Sequence, residues 1–339
     1  YTPDWPDMEK YQGRIVHPQT WPEDLDYAGK RVLVIGSGAT AATLIPNMAD
    51  DCEHITMLQR SPTYFWAGEN RNELADQLRE LDVPEEWVHE IVRRSILKQS
   101  RDVQYLSATH PEVVKEELFK VIRGYLGEDF DMTHFTPGYR PWQQRLAYVP
   151  DGDLFKGISS GKVSVVTDHI DRFTPTGILL QSGARLDADI IITATGFELN
   201  VLGDVEMSVD GEALDYADTV TYRGVMFSGV PNLAVVFGYL RTSWTMRADL
   251  IADFVVRLLN HMDEIGASVC TPQLSEEERD MELRPFVPEE DFNPGYMIRG
   301  RGLMAKQGTH APWTVSNDYY LERDEFPAID LDERALHYH

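Results

Sequence analysis

The chain has 339 residues, 42% of them hydrophobic, and a formal net charge of -25. That length suits two domains of ordinary size, and so large an excess of acid repels the polyphosphate backbone of nucleic acid at long range. No apolar run approaches the roughly 18 residues of a membrane-spanning helix, and the two cysteines, Cys52 and Cys270, form neither a disulfide framework nor a zinc pattern.

The sequence opens on Tyr1 and a Pro-rich, aromatic stretch, residues 1–24. It lacks the charged and apolar regions of a signal peptide and reads as the interior of a longer chain. Arg31 to Ile35 is a β-branched run expected as a buried strand. Gly36-Ser37-Gly38-Ala39-Thr40-Ala41 follows and opens a helix expected from about Ala39 to Ala49, with Pro46 expected to kink it or shift its end. His54 to Gln59 is the next expected strand. Asn72 to Leu81, Pro84 to Lys98 and Pro111 to Leu126 carry helical patterns, with Pro84 and Pro111 suited to first-turn positions. Residues 128–150 read as irregular. Strands are expected again at Val163 to Thr167, Gly177 to Gln181, Asp189 to Ala194 and Asn232 to Phe237. Thr245 to Met262 is an amphipathic helix, with Leu250, Ile251, Phe254, Val255, Leu258, Leu259 and Met262 on one stripe. From residue 271 the chain is rich in Pro, Glu and Asp and is expected to wrap the surface as a tail.

Gly36-x-Gly38-x-x-Ala41 between a strand and a helix points to a bound dinucleotide. Gly36 permits the tight turn, Gly38 lets backbone amides approach a pyrophosphate, and Ala41 lets the helix pack near the sheet. The helix N-terminus, with Ser37, Ala39 and Thr40, then offers N–H groups to the phosphates. The second strand ends in Gln59-Arg60-Ser61 rather than in an acid. Arg60 can hold a 2′-phosphate by a charge-assisted hydrogen bond and Ser61 can add a hydroxyl, so NADPH is expected over NADH. Gly300-x-Gly302-x-x-Ala305 repeats the pattern without the flanking strand and helix and is set aside.

Tyr11-x-Gly13-x-x-x-His17-x-x-x-Trp21-Pro22 resembles the fingerprint of the class B flavoprotein monooxygenases, with Tyr in place of the usual Phe at its first position. The closing Trp21 is that of the Baeyer–Villiger enzymes. The phrases from His17 to Tyr27 and from Met57 to Tyr64 are similar to the branch that includes the ethionamide-activating monooxygenase. Asp189 to Phe197 resembles the family's ATG motif, with Thr195 and Gly196 at its centre, and Gly238 to Trp244 resembles the segment that returns beside the flavin. The family's first glycine fingerprint, which grips FAD, has no counterpart, so the chain reads as an N-terminally truncated fragment.

The resemblance implies an α/β, two-dinucleotide-binding-domain flavoprotein. Residues 1–24 would be a linker and FAD-domain edge; 25–65 and 140–195 a Rossmann-like NADPH domain; 66–139 its helical insertion; 196–270 the returning part of the FAD domain; and 271–339 the tail. It implies FAD and NADP as cofactors, dioxygen and a ketone, sulfur or nitrogen compound as substrates, and oxygen transfer through a flavin C4a-peroxide. Arg145 lines up with the catalytic arginine, whose fixed charge would stabilise an anionic intermediate. Gln144 replaces the lysine that often binds the 2′-phosphate, and His17 couples the domains. No metal site is expected, and a reducing cytoplasm is the expected compartment. Two other readings, a pyridine-nucleotide flavoprotein reductase and a non-catalytic NADP-binding module, remain open on sequence alone.

Overall fold

A computed structural model describes residues 1–339. The chain divides into two compact units, Tyr1–Phe197 and Glu198–His339.

The first unit is built on five parallel strands: β1 (Arg14–Val16), β2 (Arg31–Ile35), β3 (His54–Gln59), β6 (Val163–Thr167) and β10 (Ile190–Thr193), in the order β1-β10-β2-β3-β6. The unbroken apolar character of Val32 to Ile35 follows from burial on both faces. Val32 and Val34 point to one side, where they pack with Ile55, Met57, Ile190 and Ile192 against helix α1 (Ala39–Met48). Leu33 and Ile35 point to the other, where Leu58 and Ile191 join them against Phe173, Ile178 and Leu180. Those last three residues belong to a three-stranded antiparallel sheet, β7 (Ile170–Thr174), β8 (Gly177–Leu180) and β9 (Arg185–Asp187). Helix, parallel sheet and antiparallel sheet thus form three layers.

The strands and helix around the glycine turn lie where the pattern places them, and α1 runs through Pro46 to end two residues later. Residues 1–24, expected as linker and FAD-domain edge, supply the edge strand β1. It is three residues long with only Val16 buried, too little for a periodicity to register. Tyr11 explains the variant first position of the fingerprint. Its phenol donates to the Ala188 carbonyl at 2.9 Å, a bond that phenylalanine lacks, and burial pushes its pKa up to about 12.

The insertion holds α2 (Glu73–Glu80), α3 (Glu85–Thr109) and α4 (Pro111–Leu126). Pro84 caps α3 rather than entering its first turn, and the helix extends well past Lys98. Only Val88 and Ser107 of α3 are buried, so no apolar stripe marks its second half; i,i+4 ion pairs such as Glu90–Arg94 and Lys98–Asp102 line its exposed face. Two further strands, β4 (Phe65–Gly68) and β5 (Ala147–Pro150), pair in parallel, β5 lying within residues 128–150 where an irregular segment was expected. A short helix, α5 (Asp153–Ser159), returns the chain to β6.

The second unit is organised on helix α6 (Trp244–Ile265), longer than its apolar stripe. The expected strand from Asn232 to Phe237 does not form. Its residues alternate half-buried and exposed, which mimics strand periodicity. Its amides, however, bond singly to separate segments, Asn232 to the Cys270 carbonyl and Val235 to that of Val225, so there is no ladder. The tail is not a surface wrap. Trp313, Phe326, Ile329 and Leu336 pack with Phe254, Leu258 and Met262 of α6 in one core, and Leu336–Tyr338 pairs with Cys270–Pro272.

That core contains a sealed ion pair. Arg247 of α6, fully buried, donates from Nε and Nη2 to the carboxylate of Glu322 at 2.8 and 2.9 Å. Its remaining N–H groups reach the carbonyls of Arg223, Gly224 and Phe237, and Tyr239 donates to Glu322 at 2.6 Å. Every donor is satisfied, so losing one partner costs more than the pair itself contributes. Glu322→Gln, which strands the guanidinium charge, is expected to lower unfolding free energy by about 3–5 kcal/mol in urea titrations, whereas Arg247→Met with Glu322→Leu recovers most of that loss.

Candidate functional site

The parallel register brings the carboxyl ends of the strands level. Val16 lies beside Ile192, Thr193 beside Ile35, Ile35 beside Leu58, and Gln59 beside Thr167. The residues leaving those strands therefore share one edge: His17 after β1, Thr195 and Gly196 after β10, Gly36 to Gly38 after β2, and Arg60 and Ser61 after β3. At β2 the strand order reverses, with β10 on one side and β3 on the other. Open α/β sheets bind ligands at such a switch point.

Gly36 is fixed by its surroundings. Its φ is +123°, its amide donates to the Leu58 carbonyl at 2.8 Å, and a Cβ would stand 2.2 Å from the Ala194 carbonyl oxygen. Ser37 is buried with Oγ 2.9 Å from Thr63 Oγ1. Gly38 is the N-cap of α1, and no side chain caps the helix. A Cβ on Gly38 would meet no atom within 4 Å, so open space stands directly before the first helical turn. The amides of that turn, around exposed Ala39 and half-buried Thr40, have no intrahelical acceptors. Ala41 is fully buried and lets α1 lie close against the sheet. An anionic pyrophosphate fits this space, because it supplies the missing acceptors and the charge that the helix dipole favours.

Arg60 and Ser61 are both exposed, and Arg60 makes no ion pair. Thr195 and Gly196 hold the start of the chain: Thr195 Oγ1 donates to the Tyr1 carbonyl at 2.5 Å, and the Tyr1 nitrogen donates to the Gly196 carbonyl at 3.0 Å. His17 Nδ1 accepts from the Gln19 amide at 3.2 Å, which leaves the proton of the neutral ring on Nε2. That nitrogen is buried without a partner. Burial holds the imidazole pKa below its ordinary value, which favours the neutral ring with its donor on Nε2.

Gln144 and Arg145 do not leave a strand of the main sheet. They follow a tight turn in which the Gln143 amide donates to the Arg140 carbonyl at 3.1 Å, and they run into β5. Arg145 is exposed and Gln144 half-buried. The β4–β5 register, Phe65 beside Ala147, places Arg145 level with Thr63 when continued two residues back. Two residues without a sequence signature make this connection. Thr63 touches Ser37 of the glycine turn and also hydrogen-bonds Tyr139, whose ring lies edge-on to Tyr64 with centroids 5.5 Å apart. Burial pushes the Tyr139 phenol up to about 12. A polar chain, Ser37–Thr63–Tyr139, thus joins the turn to the segment that carries Arg145; nothing short of the three-dimensional pairing reveals it.

The Gly300 to Ala305 repeat closes the short helix α7 (Gly295–Gly300) and continues as a 3-10 turn, with no strand before it. Cys52 and Cys270 are buried, and burial raises each thiol to about 11, so both stay protonated at neutral pH. No group of three or more His, Cys, Asp or Glu is placed to hold a metal ion. No helix is long and apolar enough to cross a membrane.

The two glycines separate fold from binding. Gly36→Ala is expected to cost at least about 2 kcal/mol of stability through backbone strain and the clash with Ala194, read as a lower melting temperature. Gly38→Ala is expected to melt within a degree or two of the parent yet to lose about tenfold or more in dinucleotide affinity by calorimetry, since its Cβ enters the space before α1.

This arrangement has relatives. A profile of the flavin-binding monooxygenase-like family matches residues 2–210. The chain is 44% identical over 339 residues to a probable FAD-binding monooxygenase, AlmA, of Acinetobacter baylyi, covering 100% of this chain and 67% of that one. It is 45% identical over 341 residues to the FAD-containing monooxygenase EthA of Mycobacterium tuberculosis, covering 100% of this chain and 68% of that one. Among solved structures, an oxidized steroid monooxygenase bound to NADP superposes with a TM-score of 0.71 at 20% identity, covering 100% of this chain and 72% of that one. The fingerprint from Tyr11 to Pro22, the glycine turn and the length of these alignments agree: the chain belongs to the flavin-binding monooxygenase-like family.

Proposed function

We propose that this chain is the NADPH-binding part of an FAD- and NADPH-dependent monooxygenase that inserts one oxygen atom from dioxygen into a ketone or a sulfur or nitrogen compound. The observation that carries the reading is the open, uncapped turn at Gly38, set at the switch point of a parallel sheet with exposed Arg60 at the next strand end. The amides of Gly38, Ala39 and Thr40 would hold the pyrophosphate; Arg60 and Ser61 would hold the 2′-phosphate. Bound NADPH supplies the reducing equivalents that the flavin needs to use dioxygen. A second strand–glycine-turn–helix, which an FAD pyrophosphate would require, does not occur among residues 1–339, so these residues do not by themselves fit FAD.

The chain's own residues have separable tasks. Gly36 sets the direction of the turn, Ser37 and Thr63 fix it to the Tyr139–Arg145 segment, and Arg145 carries a permanent positive charge on that segment. Arginine stays charged in a site that closes around its ligands, so Arg145 is the group that would stabilise developing negative charge. Gln144, a neutral donor in the position before it, leaves Arg60 as the cation for the 2′-phosphate. His17, a neutral donor at the β1 end, would couple the sheet edge to the bound cofactors rather than pass a proton. Buried, protonated cysteines weigh against the thiol chemistry of a disulfide-type reductase.

Arg60→Ala is expected to weaken NADP+ binding by tenfold or more, charge-assisted bonds contributing roughly 1.5–3 kcal/mol, and to leave NAD+ binding unchanged in calorimetric titrations. Equal effects on both would remove the 2′-phosphate role. In protein purified with its flavin, Arg145→Ala is expected to consume NADPH while forming about a hundredfold less oxygenated product per NADPH, measured by product analysis beside coenzyme oxidation; undiminished product would end its candidacy.

A further inference from the structure

The carboxyl edge of the sheet also carries a polar cluster that no motif marks. Gln59, the last residue of β3, is 1% exposed, and its Nε2 donates to the His134 carbonyl at 2.6 Å and to Thr167 Oγ1 at 2.8 Å. Thr167 closes β6 and pairs with Gln59 in the ladder. Its Oγ1 lies 2.8 Å from His134 Nδ1. Oγ1 accepts from Gln59, and His134 Nδ1 is the acceptor within reach of its proton; in that tautomer the neutral ring carries its own proton on Nε2. Nε2 has no hydrogen-bond partner in the protein, and it is not among the sealed polar atoms.

The ring is held rigidly. His134 sits on the 3-10 turn Met132–Phe135, and Phe135, fully buried, packs its ring against Phe65 and Phe155. The Gln59 contact is to the backbone of His134, so changing its side chain leaves that anchor in place. Arg60, exposed, is the residue after Gln59. Two acids share this edge and both are engaged. Asp131 caps the turn, accepting from the Thr133 amide at 2.9 Å, and Asp168 accepts from the amides of His169 and Ser182 at 2.6 and 3.3 Å. Hydrogen bonding, from Thr133 and Ser182 respectively, holds each carboxyl below its ordinary range.

A phosphate monoester offers three acceptor oxygens and close to two negative charges, more than one guanidinium satisfies. The Gln144 position supplies no second cation. We propose that His134 is a second ligand of the coenzyme's 2′-phosphate, donating from Nε2 beside the Arg60 guanidinium, with Gln59 and Thr167 as the positioning residues that aim its ring. The inference rests on the reading of the glycine turn and Arg60 as the NADPH site and adds a residue from the helical insertion to it. It makes the insertion part of the coenzyme site and a determinant of preference for the phosphorylated coenzyme.

The test is calorimetric titration of the full chain with 2′,5′-ADP (adenosine 2′,5′-bisphosphate) and with 5′-AMP, which differ only in the 2′-phosphate. His134→Ala is expected to weaken 2′,5′-ADP about tenfold and to leave 5′-AMP unchanged. His134→Gln, which keeps a donor near the Nε2 position, is expected to restore part of that loss, and Thr167→Val, which releases the ring, to weaken 2′,5′-ADP about threefold with 5′-AMP again unaffected. Unaltered 2′,5′-ADP affinity in His134→Ala overturns the proposal, and so does equal weakening of both ligands, which marks a structural role. Parent protein that binds both ligands equally overturns it together with the reading beneath it. Sensitivity to His134→Ala but not to Arg60→Ala supports His134 and removes Arg60 alone.

Discussion

The geometry of this chain depends on one crowded point, the exit of β2 at Gly36. The amide there is tied to β3 through Leu58, and the α-carbon is pressed against the Ala194 carbonyl at the end of β10. No side chain fits, and the backbone takes a φ that side chains disfavour. The chain is thereby turned upward between its two neighbouring strands, and α1 begins with its amides facing the open side. Everything proposed about binding follows from that direction: the N–H groups of an uncapped helix end are left for water or a ligand to complete. The fold leaves the completing space empty of protein at Gly38 while packing Ala41, three residues on, to zero exposure. One turn of helix thus separates the most accessible part of the motif from the most buried.

Around this point the parallel register distributes roles by strand. β3 brings a cation, β10 brings the crossing from the first unit into the second, and β1 brings a histidine whose tautomer is set by the Gln19 amide. The helical insertion, which looks in sequence like an appendage, is bound into the same edge twice. Tyr139 reaches Thr63 and through it the glycine turn, and the turn bearing His134 is bonded to the ends of β3 and β6. Under the proposed function, the insertion is therefore bound into the edge that would hold the coenzyme.

Legibility in the sequence followed the range of the interactions. The strand from Arg31 to Ile35, the turn and α1 are fixed by local pattern and by steric rules, and they were readable to within a residue. So was the family, because its motifs are short, separate and ordered. The three-residue strands β1 and β9 were not, since each owes its pairing to neighbours distant in the chain. β4 and β5 were hidden for the same reason, inside segments whose composition suggests helix or loop. Asn232 to Phe237 shows the converse, a strand-like alternation of exposure with no partner to make it a strand. The tail misled through composition: its acids lie largely on the surface while Trp313, Phe326 and Leu336 enter the core and Glu322 neutralises Arg247. Among site residues, those on the strand ends could be named from spacing, whereas Thr63, Tyr139 and His134 act through hydrogen bonds that only the folded register creates.

Under the proposed function, the turn from Gly36 to Ala41 and the guanidinium of Arg60 together grip a phosphorylated dinucleotide. A crystal structure of the protein with NADP+ examines this most directly. Density is expected for the pyrophosphate against the amides of Gly38 to Thr40 and for the 2′-phosphate within hydrogen-bond reach of Arg60. Coenzyme bound elsewhere, or a Gly38 space closed by protein side chains, would contradict it.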